Sequence, residues 1–238
     1  MHYKIDLQKI LFLDIETVPQ FPDYRNLPDN LKKHWDKKSS YIASNNETPE
    51  QSYRRAGIYS EFGKIIVISF GYIRKSENGN VLIIKSLSND DEFTLLTQFN
   101  LLLDKYFHSD DNYLCAHNGK EFDFPYIARR SIINNIHLAK ILNTQGLKPW
   151  ENRHLDTLEM WKFGDYKHYT SLDLLTEILG IDSPKDDIDG SMVYDVYWKD
   201  KDLKRIEEYC RKDVVALTQV FLRLSGQSTI DEEHIIMK

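Results

Sequence analysis

The chain has 238 residues, 41% of them hydrophobic and 29% charged, enough to bury a sizeable core as one domain over residues 1–238. No run of about 18 apolar residues occurs, and Met1-His2-Tyr3-Lys4-Ile5-Asp6 lacks the basic, apolar, small-residue order of a secretory signal, so a soluble cytoplasmic protein with no membrane partner is expected. A formal net charge of -6 argues against a broad basic surface for long nucleic acid, though not against an enzyme that grips only the end of a strand.

Ile10-Leu11-Phe12-Leu13-Asp14-Ile15-Glu16-Thr17 reads as a buried strand whose inner end carries two charges in need of compensation. An insert follows over residues 19–62, polar, punctuated by Pro22, Pro28 and Pro49, and expected to hold two short helices. Thr48-Pro49-Glu50-Gln51 within it has capping-box spacing with proline at the first helical position. Residues 64–74 and 81–87 predict a second and a third strand, joined through Asn78-Gly79 in a hairpin whose loop should exceed two residues. The three strands form an antiparallel meander.

Residues 88–107 then predict a helix, with Phe93, Leu96, Phe99, Leu103 and Phe107 at helical spacing. A short strand at 113–117, a turn at Asn118-Gly119, a helix at 125–134 and a fifth strand at 154–158 make a helix crossover between parallel strands. Helices are expected at 170–179, capped by Thr170 or Ser171 and stopped by Gly180, at 191–198 and at 202–224, and residues 225–238 read as a loose tail. Three antiparallel strands, then two parallel ones, flanked by helices, describe an α/β fold of ribonuclease H type with a five-stranded mixed sheet.

Asp14 and Glu16, two apart on a strand, point to one face near its C-terminal end. Tyr209 and Asp213, four apart on the last helix, lie one above the other beside an apolar stripe of Ile206, Cys210, Leu217, Phe221 and Leu224. Asp123 follows the short strand by a tight loop in which Gly119 frees the backbone and Phe122 and Phe124 anchor either side of the acid. Each acid has a structural alternative: solvated strand ends for Asp14 and Glu16, a helix cap for Asp123, a surface charge for Asp213. Their joint spacing favours one metal site. Four carboxylates around one point repel by roughly 3 kcal/mol per pair at about 5 Å and an effective dielectric near 20, which two divalent cations would cancel. Oxygen-only ligands favour Mg²⁺ or Mn²⁺ over zinc.

This constellation resembles the DEDD superfamily of 3′-5′ exonucleases, and Tyr209-Cys210-Arg211-Lys212-Asp213 resembles its tyrosine branch; the histidine branch would place His where this chain has Glu208. Ala116-His117-Asn118-Gly119-Lys120-Glu121-Phe122-Asp123 is similar to the second motif of family-B DNA polymerase proofreading domains. His154-Leu155-Asp156-Thr157, Ser171-Leu172-Asp173, Ser183-Pro184-Lys185 and Asp189-Gly190-Ser191 resemble a bacterial group of predicted stand-alone exonucleases related to those domains. The resemblance implies hydrolysis of terminal phosphodiesters of single-stranded DNA to nucleoside 5′-monophosphates with two divalent ions. It implies that Asp14 bridges them, that Glu16 and Asp213 complete the site of the water-activating ion, that Asp123 holds the second through water, and that Tyr209 positions the nucleophile.

Asn118 and Phe122 are candidates to contact the terminal nucleotide, with loop support and core filling as their alternatives. Residues 117–169 carry eight Lys plus Arg against six Asp plus Glu, together with Trp150, Trp161, Tyr166 and Tyr169, and form a candidate nucleic-acid groove beside the alternative of a mixed surface. Asp156, Asp173 and Asp189 are explained by strand-end, cap and turn roles, and Cys115 and Cys210 as core side chains. Three other activities stay open: an exoribonuclease similar to ribonuclease D, an endonuclease of ribonuclease H type, and an inactive nucleic-acid-binding module.

Overall fold

A computed structural model describes residues 5–44, 47–77, 79–165, 167–181 and 187–238. Strand β1 (Ile10–Pro19) is apolar on both faces because both are covered. Leu11, Leu13 and Ile15 enter one core, whereas Ile10 and Phe12 enter another on the opposite side. By the two-residue period of a strand, Asp14 and Glu16 follow Phe12 onto that second face.

The insert is more ordered than two short helices. It contains α1 (Asp29–Ile42) and the one-turn α2 (Pro49–Ser52), the latter opened by the reciprocal Thr48–Gln51 capping box. A small aromatic core of Trp35, Tyr53 and Phe62 holds it together, and the Trp35 indole N–H donates to the Pro49 carbonyl at 2.8 Å.

The chain returns along β1 as β2 (Gly63–Ser76) and turns into β3 (Gly79–Ser88), both antiparallel to their predecessors. Ser76 pairs with Gly79, so the hairpin loop is two residues long, shorter than the separation of the two apolar runs predicted. Asn78 itself lies outside the described residues. Helix α3 (Glu92–Tyr106) is capped by the Asp91 carboxylate and packs with α4 (Asp123–Ile133) on the Leu11 face. Between them β4 (Tyr113–Ala116) runs parallel to β1. Strand β5 (Leu155–Asp156) pairs parallel to β4. It is only two residues long, not five, because the Asp156 carboxylate turns back to cap α5 (Thr157–Lys162).

Helix α6 (Leu172–Leu179) is capped by Ser171 and ends at Gly180 in the left-handed region, as its sequence predicts. A single turn, α7 (Val193–Asp195), widens into a π-helical turn at Val196–Asp200 before α8 (Leu203–Leu224). Helix α8 lies on the Phe12 face, where Val214, Leu217 and Phe221 meet Ile10, Phe12 and Leu82. Gly71 of β2 makes that seat possible: a Cβ there would come within 2.6 Å of Ile84 and 3.2 Å of Val214.

The tail is not loose throughout. Ile235–Met237 forms β6, which pairs parallel to β3 and makes the sheet six-stranded rather than five-stranded, in the order β5-β4-β1-β2-β3-β6. A short apolar run covers the β3 edge that would otherwise expose unpaired backbone groups. The result is one mixed sheet with helices on both faces. Among the described residues no helix is long and apolar enough to cross a membrane.

Candidate active site

The register of β1 sets the first two acids. Asp14 pairs with Ser69 and Glu16 with Val67, and a bulge interrupts the pairing between Glu16 and Thr17. A bulge bends a strand and re-aims the side chains beside it. Above this edge lies α8. Its Cys210 is buried, with Sγ 3.3 Å from Asp14 Oδ2 and 3.5 Å from the Asp14 carbonyl. Ligand-capable atoms of Asp14, Glu16 and Cys210 lie within 4.8 Å of one another. One residue earlier, the Tyr209 hydroxyl donates to Asp213 one turn along.

The loop after β4 supplies the third motif. Asn118 takes the left-handed conformation, φ 63°, which asparagine tolerates better than most residues. Gly119 is needed for a different reason than backbone freedom: a Cβ on it would lie 2.3 Å from the Ala116 Cβ. The Asn118 carbonyl accepts from the amides of Glu121 and Phe122, closing the turn that delivers Asp123 to the first position of α4. Asp123 is buried, and the backbone N–H groups of Asp123 itself and of Ile15 bond its carboxylate. Phe122 packs at the margin of the core against Tyr126, with ring centroids 5.3 Å apart. The Asn118 side-chain amide has no protein partner among the described residues, so it is available to a ligand.

The loop is held from below by Asp156. One carboxylate oxygen accepts from the Asn118 amide at 2.9 Å and from Leu158 at 2.9 Å, and the other accepts from the Lys120 amide at 3.1 Å. Asp156 therefore joins the second motif to the cap of α5, a part that a strand-end role alone did not reveal. His117 adds a brace. Its Nε2–H donates to the Thr170 carbonyl at 2.8 Å, so Nδ1 accepts from the Thr157 hydroxyl at 2.9 Å. Burial keeps that ring neutral by lowering its pKa. Both residues lie in segments whose sequence marked them, but their partners are 36 to 53 positions away.

Electrostatics show what the acids cost one another. Burial, then the charges of Asp123, Asp213 and Glu16, raise the Asp14 carboxyl well above its usual range. Glu16 is raised by burial, then by Asp213 and Asp123. Asp123 is pushed up to about 7, chiefly by burial. Among the described residues no Lys, Arg or His forms an ion pair with Asp14, Glu16 or Asp123. Burial and the neighbouring Asp213 raise the Tyr209 phenol, so it is neutral at pH 7. Burial and Asp14 likewise raise the Cys210 thiol, which leaves it protonated and a donor to Asp14 rather than a metal ligand. Carboxylate oxygens are the donor set that fits hard divalent cations such as Mg²⁺ or Mn²⁺.

The expected groove over residues 117–169 is only partly assembled around the acids. Tyr169 is exposed at the mouth, 6.1 Å from the His117 ring, and partial burial followed by the charges of Asp123, Asp156 and Asp14 raises its hydroxyl. Trp161 instead packs at the edge of an apolar cluster with Leu175 and Val220. Trp150 is exposed in a turn at Pro149–Glu151. Tyr166 and the Ser183-Pro184-Lys185 segment lie outside the described residues.

Residues 58–236 match the family model of a predicted 3′-5′ exonuclease related to the exonuclease domain of PolB. The chain belongs to this family. In this predicted exonuclease the matched span includes Asp123, Tyr209 and Asp213, while Asp14 and Glu16 precede it. Among solved structures, the family B DNA polymerase from the hyperthermophilic archaeon Pyrobaculum calidifontis is similar, with a TM-score of 0.49 and 17% identity, over 90% of this chain and 24% of the polymerase. The chain thus spans about a quarter of the length of that relative. No curated protein matches it.

Proposed function

We propose that the protein is a metal-dependent 3′-5′ exonuclease of the tyrosine branch of the DEDD superfamily, a single ribonuclease H-like domain over residues 1–238 that shortens single-stranded DNA and releases nucleoside 5′-monophosphates. The observation that carries this reading is that Asp14 and Glu16 each lie within electrostatic range of both Asp123 and Asp213, with Tyr209 bonded to Asp213. The family's relation to a polymerase exonuclease domain favours DNA over RNA.

Asp14, Glu16 and Asp213 would hold one divalent ion, and Asp14 with Asp123 the second. Bound there, Mg²⁺ or Mn²⁺ would supply positive charge to the acids, acidify water and draw charge from the phosphate oxygens. In the reaction a water oxygen bonds to the terminal phosphorus, the bond from phosphorus to the 3′ oxygen of the penultimate nucleotide breaks, and that oxygen leaves as a hydroxyl. Neutral Tyr209 orients the water through its hydroxyl and does not act as the base. Asn118 offers an amide, and Phe122 a ring, to the terminal nucleotide. Exposed Tyr169 offers a stacking face at the mouth.

The test is digestion of 5′-labelled DNA and RNA oligonucleotides side by side in Mn²⁺ and in Mg²⁺. A descending ladder, faster on DNA and abolished by chelation, is the expected result. A strand retarded in a gel but never shortened would mean a binding module. A faster RNA ladder would mean an exoribonuclease similar to ribonuclease D, and internal cuts an endonuclease.

A further inference from the structure

Behind the acids, a row of polar residues crosses strands that are otherwise apolar. Asp14 on β1 is directly opposite Ser69 on β2, and Ser69 is directly opposite Ser86 on β3. Cross-strand partners share a face, so all three look towards α8. The helix answers them in register: Arg211 Nε donates to Ser86 Oγ at 2.8 Å, and Glu207, one turn earlier, accepts from Ser88 Oγ at 2.6 Å. An ion pair joins Arg211 to Glu207. Two residues along a strand and one turn along a helix span nearly the same length, which allows both contacts at once.

The two ends of this row have set directions. A guanidinium can only donate and a carboxylate can only accept. Arg211 therefore makes Ser86 an acceptor. At the other end, the Cys210 thiol donates to Asp14 and accepts from the Ser69 hydroxyl. With the Ser69 proton on that sulfur, the 2.8 Å contact between the two serines runs from Ser86 to Ser69.

We infer that Arg211, Ser86, Ser69 and Cys210 form a one-way hydrogen-bond relay that fixes the rotamer of Asp14 and keeps its second oxygen turned to the metal side. Successive donors polarise one another, and the guanidinium at the head strengthens the last bond. Arg211, Ser86 and Ser69 are positioning residues. The inference rests on the proposed metal site, although not on turnover.

Calorimetric titration of the full chain with Mn²⁺ tests it. Ser86→Ala removes a hydroxyl that contacts neither substrate nor ion. It should weaken Mn²⁺ binding by about 10-fold, the lower end of what orienting partners of metal ligands contribute. Arg211→Met should do the same, the double variant should be no worse than either single, and Ser86→Thr, which keeps the hydroxyl, should restore binding. Unchanged affinity in Ser86→Ala, or losses that multiply in the double variant, would overturn the relay. A merely structural role would lower the unfolding midpoint in chelator without moving Mn²⁺ affinity. Relay-dependent Mn²⁺ binding in a protein that degrades no strand would remove the exonuclease reading and keep the relay. No Mn²⁺ binding by the wild type would remove both.

Discussion

Asp123 offers a quantitative test of the idea that the site is built to be neutralised by cations. Burial pushes its carboxyl up to about 7 in the folded protein, against 3.8 for an unhindered aspartate. Between those values the folded state holds the proton and the unfolded state does not, so this group makes stability fall as pH rises. The shift of about three units, at 1.36 kcal/mol each, corresponds to about 4 kcal/mol when the group is fully ionised. Roughly two of the three units lie above about pH 5, so about 3 kcal/mol should be lost between pH 5 and pH 8. Against a typical total stability of about 5–15 kcal/mol this is a large share.

His154 acts in the opposite direction. Burial lowers it to about 4, so its contribution falls as pH drops from 6.5. Its Nδ1 accepts from the Leu114 amide and its Nε2 donates to the Ile141 carbonyl, contacts that need the neutral ring. The quantity to measure is therefore the difference between wild type and Asp123→Asn, in which the histidine cancels. Urea unfolding followed by tryptophan fluorescence, in chelator, should show the variant gaining about 3 kcal/mol on the wild type between about pH 5 and pH 8. Excess Mg²⁺ should stabilise the wild type at pH 8 and do less for the variant. A difference that is flat with pH, or that grows towards acid, would refute the account of a carboxyl held protonated by burial.

Three further outcomes are expected. Asp14→Ala and Asp213→Ala should each abolish release of nucleoside monophosphate, whereas Tyr209→Phe should keep measurable turnover; equal full activity in all three would end the mechanism. Asp156→Ala strips the acceptor from the amides of Asn118, Lys120 and Leu158 and should cost at least about 2 kcal/mol, with a raised KM for oligonucleotide; an unshifted urea midpoint would contradict the clamp. Trp35→Ala empties the centre of the insert's aromatic core and should destabilise by about 3–5 kcal/mol, read as a lower melting temperature, and a change within error would mean that the insert is not held by that core.

Local periodicity made much of this protein legible. The alternation around Asp14 and Glu16 placed both on one face of a buried strand, and the apolar stripe from Ile206 to Leu224 placed Tyr209 and Asp213 on the margin of a docked helix. Caps at Thr48 and Ser171 and the stop at Gly180 could be read because they involve residues three or four apart. Each of these depends on forces between near neighbours, which the order of residues states directly.

Contacts that skip along the chain were decided only by tertiary structure. Nothing local to residues 235–237 says that they pair with Leu82–Ile84 and add a sixth strand. Asp156 could be seen as a strand-end charge, but neither as the cap of α5 nor as the clamp on a loop 36 to 38 positions away. Cys210 could be seen as core, but not as the donor to Asp14 across 196 positions. Such partners are chosen by strand register and by the seat of α8 over Gly71, where burial leaves each polar group only the neighbour that packing supplies.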